Sequence, residues 1–218
     1  MRPAAFLLRT QPTHPARAGA STTESPAAHI LAALLWALGD AASVSAHFVP
    51  SASPRRALVG SDGAPTGRFV DWPHEEQVAV CGVLAGGATL TVHVRGGLPA
   101  GARGRVPFEW LVDGTAGSVE VRADTPLISM QAPQSVRTKG APWTPERRES
   151  ADRAASVGAE WGHFANAGLF EILESQWREF AKGEEGEYAT FEDGYRLHRF
   201  VEAIRKSARE GVRVSITD

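Results

Sequence analysis

The stretch from Glu76 to Arg122 constrains the fold of this chain more than any other, because its apolar residues recur with a period of two. Gln77–Leu84 reads as one strand, Ala85-Gly86-Gly87 as a turn, and Ala88–Arg95 as the returning strand. Leu90, Val92 and Val94 fall on one face of the second strand, and Thr89, Thr91, His93 and Arg95 on the other. Phe108, Trp110 and Val112 repeat the alternation, and Asp113–Gly117 turns the chain into Ser118–Arg122. One face is apolar and the other carries Thr, His, Arg and Glu. That pattern predicts a mostly antiparallel sheet, open on one face and covered by helices on the other. The fold class expected is therefore α+β.

Helices flank this sheet in the sequence. Ser25-Pro26 reads as a helix start, with Ser as N-cap and Pro at the first helical position. The helix runs Ala27–Leu38 and stops at Gly39. It is apolar nearly all round, so it is expected to be central and buried. His29 is its only ionisable group. A buried histidine is either a hydrogen-bonded core residue or a site residue, and the residue chemistry favours the first.

Near the C-terminus, Leu169, Ile172, Leu173, Trp177 and Phe180 lie at helical spacing up to Gly183, with Trp177 and Phe180 read as core. Thr190–Asp193 resembles a capping box, and Leu197, Val201, Ile204 and Ala208 form a second helical stripe that ends at Gly211. His198 is expected on an exposed face. Val212–Ile216 reads as an edge strand.

The intervening segments are less regular. Ala42–Val49 alternates as a strand, and Pro50–Pro65 reads as a surface loop. Trp72 and His74 are placed at the rim of the sheet, and Leu127–Gln131 as a further strand. Gly140–Gly158, with Glu146–Glu149 inside it, reads as a solvated loop.

Composition narrows the function. A formal net charge of −2 gives no electrostatic support for binding nucleic acid or a membrane surface. Cys81 is the single cysteine, which excludes a disulfide framework and a thiolate metal site by count. Among strand hydrophobics it reads as a small buried residue. The apolar run Ala27–Leu38 is far short of the ~20 residues that span a bilayer. A soluble, cytoplasmic protein is expected. Met1–Thr23 carries Arg2, Arg9 and Arg17 and no acid, a composition similar to a mitochondrial transit peptide. Pro3, Pro12 and Pro15 spoil an amphipathic helix there, so the segment reads as a disordered tail or the scar of a shortened reading frame. The domains expected are a tail over residues 1–23 and one α+β domain over 24–218.

Three stretches carry a family resemblance. They are Ser25–Leu31 with Leu38–Ala46, Phe108–Val121, and Phe191–Arg209. In this order the chain resembles the C-terminal half of a Gfo/Idh/MocA-type oxidoreductase, in the fungal branch related to the galactose-regulon repressor. The resemblance covers roughly Glu24–Ile216. It implies an open-faced sheet backed by helices that contributes to a substrate site and often forms the dimer. It aligns His29 with the histidine that faces nicotinamide and sugar, which puts a catalytic role for His29 level with the core role. NAD(P) is implied by resemblance only. The strand and Gly-x-Gly-x-x-Gly turn of a Rossmann half are not found in Met1–Thr23, and the family's lysine in Glu-Lys-Pro belongs to that half. Where many members carry an aspartate four residues before the histidine, this chain has Ser25.

Three readings follow. The chain is a catalytically incomplete substrate and dimerisation domain with no cofactor bound by itself. Alternatively, it is a working oxidoreductase subunit whose cofactor domain is supplied in trans. In a third reading it is a small carbohydrate-binding module using the polar face around His93 and Arg95. The partners expected are a second copy through the open sheet face and a sugar-like small molecule, with no nucleic acid, membrane or metal.

Overall fold

The protein is described by a computed structural model at residues 21–50, 55–59, 65–72, 74–95, 108–115, 117–123, 135–138, 141–143 and 167–216. It is a mix of helices and mostly antiparallel, open sheet, in two compact units. The first unit takes its described residues from the segments up to 102 and from 191 onward, and the second from 103–190.

The first unit is built on a four-stranded antiparallel sheet. Its strands are β1 (Ala41–Pro50), β4 (Glu75–Leu84), β5 (Thr89–Arg95) and the short β10 (Val214–Ser215), in the order β10-β1-β4-β5. Two helices accompany it, α1 (Ala28–Leu38) and α3 (Phe191–Glu210). Alternation along the strands sends Val44, Ala46, Val78, Val80, Leu84 and Leu90 to the helix side, where all are buried. Against them α3 sets Phe200, Val201, Ala203 and Ile204, and α1, packed on α3, buries Leu31 and Leu34. Phe200 is 1% exposed and Ile204 0%, so this contact is the centre of the unit. Gly82 stands close against β1: a Cβ there would lie 2.6 Å from the Ser43 carbonyl oxygen.

Beyond β10 the edge of β1 is closed by a side chain. The backbone N–H of Ala46 donates to Ser207 Oγ at 2.8 Å, and Ser207 Oγ donates to the Val212 carbonyl at 2.6 Å. Ser207 is 1% exposed and so satisfies two backbone groups that would otherwise be buried unpaired. Gly211 ends α3 in a left-handed conformation (φ 67°) and lets the chain turn back into β10.

The helix start differs from the sequence reading. Thr23–Ala27 is a π-helical turn ahead of α1, so the backbone of Ser25 and Pro26 lies inside it and Ser25 is not the N-cap. Ser21 Oγ caps instead, accepting from the Glu24 N–H at 3.1 Å. Thr22 Oγ1 donates to the Glu75 carbonyl (2.8 Å), and the Thr23 N–H and hydroxyl donate to Glu75 Oε1 (2.8 and 2.5 Å). Arg205 of α3 pairs closely with Glu24. Thr23 is 1% exposed, so these residues belong to the fold, and residues 1–20 lie outside the described part.

Part of the segment read as a loop is paired. β2 (Arg55–Val59) and β3 (Pro65–Asp71) form a two-stranded ribbon, with Arg55 over the Phe69 ring (5.3 Å) and 3.8 Å from Asp71. Phe69 and Val70 are adjacent and show no period of two, so periodicity does not reveal the pairing. At the ribbon's base Trp72 and His74, both half-buried, meet edge to face at 4.8 Å.

The second unit holds β6 (Phe108–Gly114), β7 (Gly117–Ala123), β8 (Ser135–Thr138) and β9 (Ala141–Trp143), paired antiparallel in chain order. The stretch Glu76–Arg122 is therefore divided between two sheets, and Ala141–Trp143, read as loop, is a strand. Leu127–Gln131 and Glu146–Glu149 lie outside the described residues. Arg122 bridges Glu109 on the facing strand at 2.8 Å and pairs closely with Glu120. The helix α2 (Ala167–Ala181) ends where Glu179 accepts from Lys182 Nζ (2.6 Å) and the Glu187 N–H (3.1 Å). The Lys182 bond is the larger cause that holds the Glu179 carboxyl below its usual range. Trp177 and Phe180 are not core: they are 68% and 56% exposed and meet edge to face at 5.8 Å. Helical spacing specifies that such residues share a face, not that a second layer covers it.

Phe200→Ala and Ile204→Ala are each expected to cost about 2–5 kcal/mol in chemical denaturation, because both leave cavities at the α3–sheet contact. A loss under about 1 kcal/mol at both would mean that α3 does not close this core.

Candidate functional site

Two surfaces of the first unit carry the residues singled out from sequence. The first is the outward side of α1. Leu31 and Leu34 face the core, which turns His29, Ala33 and Trp36 outward at helical spacing. His29 is exposed and Trp36 is 84% exposed, so the expectation of a helix buried all round is corrected: α1 is packed on one side only. An all-apolar helix conceals this, because Leu35, Trp36 and Leu38 look alike whether or not a layer lies over them. Gly39 closes the helix, its N–H donating to the Leu35 carbonyl at 2.9 Å. Asp40 follows, 3.2 Å from Arg196 Nη1, and Arg196 also pairs closely with Asp193. The Asp193 bond first, and Asp40 second, raise the Arg196 guanidinium above its ordinary range and fix it as a cation. Phe191 and Tyr195, in the first turns of α3, are exposed as well. The sequence reading did not mark this group. The signal available was Asp193 and Arg196 at i, i+3, but nothing in it reveals Asp40 as a third member.

The second surface is the sheet face away from the helices. Register places Val49, Gln77 and Arg95 in one row, His47, Ala79 and His93 in the next, then Ser45, Cys81 and Thr91, and then Ser43, Val83 and Thr89. Thr89, Thr91 and His93 are exposed as the alternation predicts, and His93 Nε2 lies 3.4 Å from Gln77 Oε1. Cys81 is exposed, not buried. Its apolar neighbours Val80 and Gly82 point to the core, and the period of two sends Cys81 the other way. Arg213 lies at the far edge, bonding Ser43 Oγ through Nε (2.9 Å) and Nη2 (2.6 Å). Asp and Glu are absent from these rows.

The structure keeps these candidates apart. His29 is on the helix side and His93 and Arg95 on the open face. A groove of about 340 Å³ is lined by Arg199, Glu202, Ala203, Lys206 and Val214–Ile216, and none of the three lies in it. His198 is exposed, as expected. Among the described residues no group of three or more His, Cys, Asp or Glu could hold a metal ion, and no helix is long and apolar enough to cross a membrane.

The family described as Gal80p, C-terminal domain, matches residues 9–123. The chain belongs to the Gal80p C-terminal-domain-like family. No curated protein matches the sequence. Among solved structures, the fold is similar to the transcriptional regulator Gal80p from Kluyveromyces lactis (TM-score 0.69, 14% identity, covering 98% of this chain and 50% of that one). It is also similar to a super-repressor mutant of Gal80p from Saccharomyces cerevisiae (0.66, 16%, 89% and 49%) and to levoglucosan dehydrogenase in its apo form (0.63, 20%, 100% and 56%). At these identities the likeness shows the fold. The chain spans about half the length of each.

The dehydrogenase is also known in complex with NADH, so fit to a dinucleotide can be tested on the described residues. A pyrophosphate needs a glycine turn leading from a strand into a helix N-terminus. Here Gly86 and Gly87 join two antiparallel strands, and Gly39 leads out of a helix into a strand. Neither is such a turn.

Because the α1 face is open, His29→Gln and Trp36→Ser are expected to leave unfolding stability within about 0.5 kcal/mol of the parent. A loss of about 2 kcal/mol or more for Trp36→Ser would mean that the face is covered within this chain.

Proposed function

We propose that this member of the Gal80p C-terminal-domain-like family is a substrate-side and dimerisation domain, cytoplasmic, and unable by itself to transfer hydride. The observation that carries the reading is the outward placement of His29 on α1. A histidine acting on a sugar hydroxyl needs a cofactor held across from it and water excluded around it. At an exposed position on a half-packed helix, water is not excluded from it. By the family resemblance, His29 is the residue that would face nicotinamide and substrate once a nucleotide-binding body lay over α1. Self-association is proposed through the open sheet face, whose small central side chains Ala79, Cys81 and Ser45 permit close approach of a second sheet.

A second reading is favoured by Trp36. A large apolar side chain, 84% exposed beside exposed Leu38, suits a covering partner. In that reading the cofactor-binding body is supplied by another polypeptide and NAD(P)-dependent activity arises only on mixing.

Calorimetric titration of the chain with NADPH and NADH tests the first reading. No heat of binding is expected from either, and micromolar binding would overturn it. Light scattering on the same sample is expected to give twice the chain mass, reduced toward a single chain by Thr91→Lys. An unchanged mass in that variant would exclude the open face as the contact.

A further inference from the structure

At the β10 edge the first sheet ends beside a groove. β10 comes first in the strand order β10-β1-β4-β5, so no described strand pairs with its outer side. The Ile216 N–H donates inward to the Ala42 carbonyl at 2.8 Å. Backbone groups alternate in direction along an antiparallel strand, so the N–H and C=O of Ser215 point outward, away from β1. Side chains alternate as well. Val214, opposite the buried Val44, and Ile216 belong to the helix side of the sheet, and Ser215, opposite Ser43, to the open side. With Ala203, Val214 and Ile216 give the groove of about 340 Å³ its apolar lining, and Arg199, Glu202 and Lys206 of α3 give it charge. An outward row of backbone groups is a template for another strand, and here the flank of α3 already stands where the side chains of that strand would point.

The charges select the strand. Arg199 stacks over the Tyr195 ring at 5.7 Å, and Lys206 is exposed. Glu202 lies 3.3 Å from Arg205, which also pairs closely with Glu24. The groove therefore holds two cations and one carboxylate that already has a cationic partner. Arg199 and Lys206, seven residues apart on one helix, are separated by about 10 Å along its axis. Alternate residues of a strand share a face and recur every ~6.8 Å. Carboxylates at the first and third such positions come within reach of these two long side chains, and an apolar residue between them meets Ala203, Val214 and Ile216.

We propose that the β10 edge binds an extended segment of another protein as an added strand, with the pattern acid-x-apolar-x-acid facing α3. Backbone pairing at Ser215 supplies the attachment, and the groove supplies the choice of side chains. This contact is separate from both open surfaces described above and does not depend on the dimer reading.

The test is fluorescence anisotropy of a labelled peptide, Ser-Asp-Thr-Val-Thr-Asp-Ser, titrated with the full chain. Saturable binding is expected, weakened by added salt. Lys206→Glu is expected to raise the dissociation constant about tenfold or more, and Lys206→Ser by less. Ser215→Pro removes the outward N–H without costing a bond to β1, and is expected to abolish binding while far-UV circular dichroism stays that of the parent. Methylating the backbone nitrogens of both threonines, or that of the valine alone, blocks opposite sides of the peptide, so one of the two is expected to lose binding and the other to keep it. Tolerance of both methylated peptides would overturn the added strand. Equal binding of the same peptide with lysine in place of aspartate would overturn the charge selection. Absence of peptide binding would overturn the proposal, and a concentration-dependent mass abolished by Ser215→Pro would then give the edge to a second copy of this chain.

Discussion

Burial of one stripe of α3 against β1 is the contact on which the first unit depends. Phe200, Ile204, Val44, Val78 and Val80 belong to one dehydrated core, and all five are 1% exposed or less. The contact joins residues more than 100 positions apart, so it closes a long loop and must offset that ordering entropy. It also fixes everything around it. Ser207, one turn beyond Ile204, reaches the edge of β1, and the turn after Gly211 delivers β10 to that edge. Arg205 on the same helix reaches Glu24 and so ties in the start of the fold.

The same contact produces the two open surfaces. With α3 and α1 on one side, the period of two leaves His47, Cys81, Thr91 and His93 on the other. With Leu31 and Leu34 facing inward, the period of 3.6 leaves His29 and Trp36 facing outward. Both surfaces are thus geometric products of the core, and each carries histidine where a second molecule can reach it. The Gal80p C-terminal-domain-like fold supplies the scaffold, and the chemistry of these surfaces is particular to this sequence.

Much of this was legible in the residues. Alternation identified β1, β4, β5, β6 and β7 and assigned Thr89, Thr91 and His93 to the polar face. An apolar run or helical spacing, each with a glycine stop, identified the three α-helices among the described residues. What escaped was decided at a distance. Cys81, in a run of hydrophobics, takes its side from the register with Ser45 and Thr91, which a single strand does not display. Trp36, Trp177 and Phe180 look like core residues because hydrophobicity records a preference for burial, not the presence of a covering layer. Ser25 has the chemistry of an N-cap, but Ser21 is placed to cap because Thr22 and Thr23 are anchored to Glu75, some fifty residues onward. The pairing of β2 with β3 was hidden by strands too short and too polar to show a period.

One face of the first sheet is core and the other open, and thiol accessibility tests this most directly. The natural Cys81 is compared with Val80→Cys in a Cys81→Ser chain, using a small thiol reagent on native protein dilute enough to hold single chains. Complete modification of Cys81 is expected, with strong protection of the neighbouring position until the chain unfolds. Protection of Cys81 with ready modification at position 80 would put the core on the opposite face of the sheet.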